Sequence, residues 1–376
     1  MMKKFLFTAA LAGALAACGG NADKVSVSGD EATCNLDRNL ELAKKAGKGV
    51  PLKLQLPWFA NGEHSYAFLG DELKIFDAYG FDVEVMTGRG SEVAARALGA
   101  GQVDAAIIGS DAMVLINDEG GKLQSVGIVY RETPVTIYSL PGSGIYEPED
   151  LYGKRLGLLP GSNTVSQYEG FANQIGLDRS RIIEVSVQPQ QAQGMIIGQT
   201  GAKSGNGEKI SSLDALVHYT QFAPLEERVN RNRIMTEIRL ADKGVKILGM
   251  VLAVREGSMP DRNVKNLHKA LKASFECARQ SPLKSIDALA KANRTEPFGK
   301  NSDGSLQEDR AYAVAQLEAL IAMACKERGQ NCVNFLDQTK TDWDETIATL
   351  KTFNLIENDY TPDKLYIPKE ILAKAQ

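Results

Sequence analysis

The sequence predicts an α/β protein folded as two lobes joined by two chain crossings, followed by a helical C-terminal region. Three observations lead there. Strand-like and helix-like segments alternate from Pro51 to Tyr130, and a second alternation runs from Arg155 to Val217. An apolar stretch at 246–254 then returns as a single long strand. Everything from Val264 onward carries helical periodicity. Alternation of the βαβαβ kind gives a largely parallel sheet with helices on both faces, and ligands bind beyond the carboxyl ends of its strands.

Each element has a local reason. Residues 36–47 form a short helix ended by Gly47 and Gly49. Residues 52–58 read as a strand, with leucines at 52, 54 and 56 on one face. A helix over 63–79 stops at Gly80. Residues 81–86 alternate again, and Ser91 can cap a helix over 92–100 ended by Gly101. A buried strand at 103–108 leads to Ser110 or Asp111 as the next cap. Strands follow at 126–130 and 134–140. In the second half, strands fall at 155–159, 182–187 and 211–217. Helices fall at 163–176, opened by Gly161-Ser162-Asn163-Thr164, and at 190–199. The Gly/Lys-rich stretch 200–209 reads as a surface loop. Helices are expected at 264–280, 282–292, 306–328 and 339–353. The crossings fall near 136–140 and 248–254, so one lobe comprises 51–137 plus 249–376 and the other 138–248.

The N-terminus has its own signature. Lys3 and Lys4 precede an apolar run over 5–15, and Leu15-Ala16-Ala17 precedes Cys18. A basic start, a short apolar run and small residues before a cysteine describe a bacterial lipoprotein signal over 1–17. Cleavage before Cys18 would leave a lipid, such as palmitate, on its thiol and tether the protein to a membrane outside the cytoplasm. An ordinary secretory signal is the alternative. The apolar run is shorter than the ~20 residues a membrane span needs. Residues 18–50 then supply a Gly-, Ser- and Asp-rich tether and the short helix.

Without the signal about 359 of the 376 residues remain, and the net charge of −4 loses two lysines to become about −6. No basic stripe points to nucleic acid, and nothing points to a cofactor or metal. The pattern is that of a monomer. Four cysteines remain besides Cys18: Cys34, Cys277, Cys325 and Cys332. In an oxidising compartment they allow two disulfides in three pairings. Closeness in sequence favours Cys325 with Cys332, and therefore Cys34 with Cys277; reduced thiols are the alternative.

The stretch Leu54-Gln55-Leu56-Pro57-Trp58-Phe59-Ala60-Asn61-Gly62-Glu63-His64 resembles the first strand and loop of type II solute-binding proteins. These serve importers of nitrate, sulfonates and thiamine precursors. Gly80-Phe81-Asp82-Val83-Glu84-Val85 is similar to that family's second strand. Leu98-Gly99-Ala100-Gly101-Gln102-Val103-Asp104-Ala105 resembles its helix, glycine and small-residue strand. Pro148-Glu149-Asp150-Leu151-Tyr152-Gly153 resembles the opening of its second lobe, and the stretch from Asp342-Trp343 to Leu355 its closing helix. The resemblance spans about 52–372. It implies a type II periplasmic binding protein clamshell that captures a small molecule and passes it to an ABC transporter permease.

Several residues could hold that ligand. The pyrimidine-binding branch of the family carries W-x-P-N-x-x-H; this chain keeps Trp58, Asn61 and His64 and has Ala60 in place of the proline. Trp58 could stack on a flat ring or sit in the core. His64 could bind or merely cap a helix. Arg89, in Gly88-Arg89-Gly90-Ser91, could pair with a sulfonate or carboxylate or lie in solvent. Ser91, Ser110, Asp111 and Tyr130 stand at strand ends. Ser162, Asn163 and Thr164 open a helix whose N–H groups could take the ligand's second end. Gln188, Gln190, Asp214, His218 and Tyr219 follow later strands, His218 with Tyr219 being the stronger pair. The ring-bearing residues favour a thiamine-precursor-like pyrimidine or similar heteroaromatic. Arg89 and the helix start at 162–164 favour an anion such as an alkanesulfonate.

Two other classes compete. A fungal pyrimidine synthase shares the fold the resemblance implies, but this chain lacks that enzyme's run of cysteines. It also contains no G-x-S-x-G elbow, no H-E-x-x-H and no Walker loop, so no enzyme is expected. A receptor feeding a sensor kinase or chemoreceptor would present the same sequence.

Overall fold

Two five-stranded mixed sheets organise the protein in the computed structural model. It describes residues 31–187, 202–203, 209–210, 213–223, 234–292, 305–325 and 335–374. Ala32–Gln376 is one compact unit, and Met1–Glu31 is another, of which only Glu31 is described. Cys18 therefore lies outside the described residues, as do Gln188, Gln190, Cys332 and the expected helix at 190–199.

The first sheet begins with the alternation the sequence shows. Strand β1 (Val50–Gln55) buries Leu52 and Leu54 and pairs in parallel with β2 (Phe81–Met86) and β3 (Ala105–Gly109). All five residues of β3 are buried, as a strand covered on both faces requires. The fourth strand in the sequence, β4 (Leu123–Ile128), does not join β3. The late strand β12 (Met250–Arg255) inserts between them, antiparallel to both. The second sheet contains β5 (Val135–Ser139), β6 (Arg155–Leu158), β7 (Ile183–Ser186), β10 (Ala215–Tyr219) and β11 (Thr236–Arg239), in the order β11-β5-β10-β6-β7. Only β10, β6 and β7 are parallel there; β5 runs antiparallel to β10 and β11. The expected largely parallel sheet is thus corrected to two mixed ones. The returning chain must re-enter the first sheet, and the second half must start beside the strand that closes it. Within the expected loop at 200–209, β8 (Ala202–Lys203) pairs antiparallel with β9 (Lys209–Ile210).

The crossings occupy residues 129–134 and 240–249, slightly ahead of the expected positions, because 135–139 and 250–255 are already strands. They run side by side. Gly249 N–H donates to the Tyr130 carbonyl at 3.1 Å and Val129 N–H to the Met250 carbonyl at 2.8 Å.

The expected helix at 63–79 is interrupted. It consists of a 3-10 turn (Gly62–His64), a helix (Ser65–Glu72) and a short helix (Ile75–Ala78), with Lys74 left-handed at φ 55° between them. The cause is tertiary. The Leu73 carbonyl accepts from Asn39 Nδ2 at 2.8 Å, in the helix Leu36–Ala46, and the break turns Ile75 and Phe76 fully into the core. The C-terminal helices Asp261–Gln280, Pro282–Ala292, Ser305–Cys325 and Lys340–Thr352 match their expected positions. Phe275 of the first stacks on Phe335 with ring centroids 3.7 Å apart, and Tyr66 meets both edge-on.

The expected disulfide between Cys34 and Cys277 is formed, with Cα atoms 5.3 Å apart. Cys325 is also disulfide-bonded. A crosslink over a sequence separation of 243 restricts the unfolded chain strongly. Replacing both Cys34 and Cys277 with alanine should therefore cost about 2–5 kcal/mol of stability. Denaturant titration of the double variant checks this, and an unchanged midpoint would refute it.

Candidate functional site

Several of the residues singled out from sequence, Trp58, Asn61, His64 and His218 among them, come together between the two sheets. After β1 the chain turns through Trp58, which is half-buried against the core. Its ring meets His218 of β10 edge-on, with centroids 6.2 Å apart and planes at 78°. His218 packs in turn on Phe222 at 4.0 Å. An aromatic from the first half and an imidazole from the second thus form one wall.

Beside that wall lies a polar group with incomplete bonding. Glu63 is buried, and its Oε1 accepts from Gln221 Nε2 at 2.7 Å, across from the 3-10 turn Thr220–Phe222. The same Gln221 nitrogen lies 3.3 Å from the Tyr130 hydroxyl. His64 Nδ1 meets Asn61 Oδ1 at 2.8 Å. The carbonyl oxygen can only accept, so Nδ1 carries the proton and Nε2 presents a lone pair. Four buried polar atoms here, Asn61 Nδ2, His64 Nε2, Gln221 Oε1 and Gln316 Nε2, have no partner. Buried polar groups are nearly always hydrogen-bonded, so a cluster of unpaired ones marks a place where a ligand can bind.

A second cluster holds the two halves together. Asp111, fully buried, accepts from Asn163 Nδ2 and from Gln167 Nε2, each at 2.7 Å. Asp111 belongs to the helix Ser110–Asp118 on the first sheet, and both amides belong to the helix Asn163–Ile175 on the second. Tyr219 donates its hydroxyl to Asn163 Oδ1, and Thr133 to Gln167 Oε1. Ser162 caps its helix as expected, accepting from Thr164 N–H, whereas the buried Thr164 hydroxyl is unpaired. Close approach of the halves also needs Gly90. Its φ is 137°, and a β-carbon there would stand 2.0 Å from the Gly161 carbonyl oxygen.

The caps of the two following helices differ from expectation. Ser91 does not cap its helix; Gly90 is the cap residue, and Ser91 Oγ accepts from Gly109 N–H at 3.1 Å. Neither Ser110 nor Asp111 caps the next helix, since Gly109 does. Ser110 instead donates to the Leu248 carbonyl at 2.6 Å, tying β3 to the second crossing. Arg89 is exposed and is not among these buried groups. Asp214 pairs with Arg155 at 3.1 Å and ties the start of β10 to β6 inside the second sheet. Sequence reasoning missed Glu63, Gln167, Gln221 and Gln316. Glu63 stood in plain view between Asn61 and His64, while the glutamines carry no local signal because only packing brings them inward.

The electrostatics follow from burial. Burial lowers both imidazoles to about 3, so His64 and His218 are neutral. Tyr219 N–H donates to His218 Nδ1 at 2.7 Å, which leaves the ring proton on Nε2. Burial raises Glu63 to about 7, partly offset by the Gln221 hydrogen bond. Burial likewise raises Asp111 to about 6, against its two amide donors. None of the buried groups named here is a cation. Among the described residues no cluster of His, Cys, Asp and Glu could hold a metal ion. The arrangement offers ring faces, neutral donors and acceptors, and two titratable carboxyls, Glu63 beside the unpaired atoms and Asp111 in the paired cluster.

Comparison with known proteins adds to this. A family model described as NMT1/THI5-like matches residues 61–285. No curated protein matches the chain. Among solved structures, a Bordetella bronchiseptica RB50 protein superposes with a TM-score of 0.61 at 16% identity, covering 86% of this chain and 96% of that one. The alkanesulfonate-binding protein SsuA from Xanthomonas axonopodis pv. citri, bound to MOPS, gives 0.59 at 14% identity, covering 86% and 99%. The periplasmic aliphatic sulphonate-binding protein SsuA from Escherichia coli gives 0.59 at 13%, covering 85% and 92%. At such identities the likeness is one of fold.

The raised carboxyls make stability depend on pH. A raised folded-state value means that the folded protein favours the neutral acid. The contribution is present at low pH and is lost as pH rises through about 6 for Asp111 and about 7 for Glu63. The loss begins near the unfolded values of about 4, so the ligand-free protein should be less stable at pH 8 than at pH 5.5 by part of the two shifts, about 2–3 kcal/mol, and should melt at a lower temperature there. Glu63→Gln should remove the upper part of that slope. A melting series showing the same slope in wild type and variant would refute the assignment.

Proposed function

The chain belongs to the NMT1/THI5-like family, and from that premise we propose that it captures a flat heteroaromatic molecule, a thiamine-precursor-like pyrimidine or a similar ring. It is a solute-binding protein of the ABC-import class acting outside the cytoplasm, and not an enzyme. The cleft between its two halves takes the ligand, closure buries it, and the closed form delivers it to the transporter permease. The ligand drives closure by its higher affinity for the closed state. Lipid at Cys18 keeps the monomer beside that permease. Among the described residues no helix is long and apolar enough to cross a membrane.

One observation supports the ligand class above the others. The Trp58–His218 wall stands beside a buried set of unpaired neutral donors and acceptors that contains no cation. A heterocycle with amino donors and ring-nitrogen acceptors matches such a set. An anion would enter a buried site beside Glu63 without a counter-charge. A second reading has its own support in Thr164. Its unpaired hydroxyl sits at the start of the helix Asn163–Ile175, where the free N–H groups favour negative charge. That reading gives a sulfonate ligand.

A thermal-shift panel of aminopyrimidines and alkanesulfonates separates the two. A ligand at a hundredfold over its Kd stabilises the fold by ~2.7 kcal/mol. Stabilisation by aminopyrimidines alone is the expected result, and stabilisation by sulfonates alone would overturn the heteroaromatic reading. Trp58→Ala should weaken the aminopyrimidine by about tenfold or more, because it removes the ring contact. Undiminished affinity in a folded variant would show that Trp58 only packs.

A further inference from the structure

The helix Ser305–Cys325 packs against both 3-10 turns of the cleft, Gly62–His64 from the first half and Thr220–Phe222 from the second. It lies beyond the family-matched segment 61–285. Its contact with the first turn is backbone to backbone. A β-carbon at residue 62 would stand 1.9 Å from the Ala313 carbonyl oxygen, so only Gly62 lets the helix sit this close. One turn along, Gln316 is buried at 1% exposure, and its Oε1 accepts from Gly62 N–H at 3.1 Å. That bond fixes the orientation of the amide and leaves Nε2 as a donor without a partner. Asn61, next to Gly62, presents a second unpaired donor, Nδ2. This end of the cleft therefore offers donors, whereas Gln221 Oε1 and His64 Nε2 offer acceptors.

We propose that Gln316 is a specificity-determining residue, its Nε2 donating to a ring nitrogen or carbonyl oxygen of the bound ligand. The proposal rests on the cleft being the ligand site, and it makes the helix Ser305–Cys325 a third wall that selects for ligands with an acceptor beside their amino donors. Leaving a buried donor unpaired is costly, so a ligand lacking that acceptor is rejected more strongly than one that merely fills the space poorly.

The test uses three probes: 4-aminopyrimidine and aniline, which share ring size and amino group but differ in ring acceptors, and MOPS as a sulfonate. Affinities for the purified protein are measured calorimetrically near neutral pH. Two variants are compared with wild type. Gln316→Met and Gln316→Leu both remove the amide donor and acceptor while keeping an apolar side chain of similar size. Wild type should prefer 4-aminopyrimidine by about tenfold or more, and either folded variant should lose most of that preference while binding aniline within about twofold of wild type. Equal weakening of both probes would show a purely structural role and overturn the proposal, as would an unchanged preference. If wild type binds MOPS but not 4-aminopyrimidine, the heteroaromatic reading falls by itself. Gln316 is then judged on the sulfonate oxygens: a loss of about tenfold in Gln316→Met supports it, and unchanged affinity overturns it. If wild type binds none of the three, the ligand site and the role of Gln316 fall together.

Discussion

Burying the Asp111 carboxylate is the constraint around which the two halves are arranged. A carboxylate removed from water needs donors, and the first sheet supplies none of its side-chain donors. Asn163 and Gln167 come from the helix that packs on the second sheet. Those amides are in turn held by Tyr219 and Thr133. The network spans the cleft and depends on the halves being close. The close approach depends on Gly90 lying against the Gly161 carbonyl, where no other residue would fit.

The Asp111 cluster is complete, and the cluster around His64 is not. That difference separates a latch from a site. Every oxygen of Asp111 has a donor, so nothing further is required there. Around Asn61, His64, Gln221 and Gln316 the polar atoms are equally buried but partly unpaired. Neutral imidazoles matter for the same reason. Protonating either His64 or His218 would place a charge in a buried region, and both are therefore held far below their ordinary value. The result is a lining that can hydrogen-bond in both directions without presenting positive charge.

The C-terminal helices do more than complete the core. The helix Asp261–Gln280 receives the disulfide from Cys34 and presents Phe275 to Tyr66 and Phe335. The helix Ser305–Cys325 reaches the cleft itself through Gly62 and Gln316. Arg131, in the first crossing, pairs with Asp342 at 2.6 Å, at the start of the helix Lys340–Thr352. The crossings are thus braced by chain that follows both sheets in sequence.

The sequence by itself determined the α/β class, two alternations with a returning strand and the C-terminal helices; it favoured the Cys34–Cys277 pair among three pairings, and the structure decided for it. Periodicity, capping residues and turn glycines are local properties, and they survive any rearrangement of the parts. It also pointed to Trp58, Asn61, His64, Asn163, His218 and Tyr219, each of which stands at a strand end or helix start. Tertiary structure decided strand order, because the insertion of β12 between β3 and β4 pairs residues over a hundred positions apart. It broke the helix after Glu72, because Asn39 takes the Leu73 carbonyl. It left Arg89 in solvent and brought Glu63, Gln167, Gln221 and Gln316 inward. A glutamine's sequence context does not tell whether its amide will meet water or a partner; that depends on what the other half of the chain places against it.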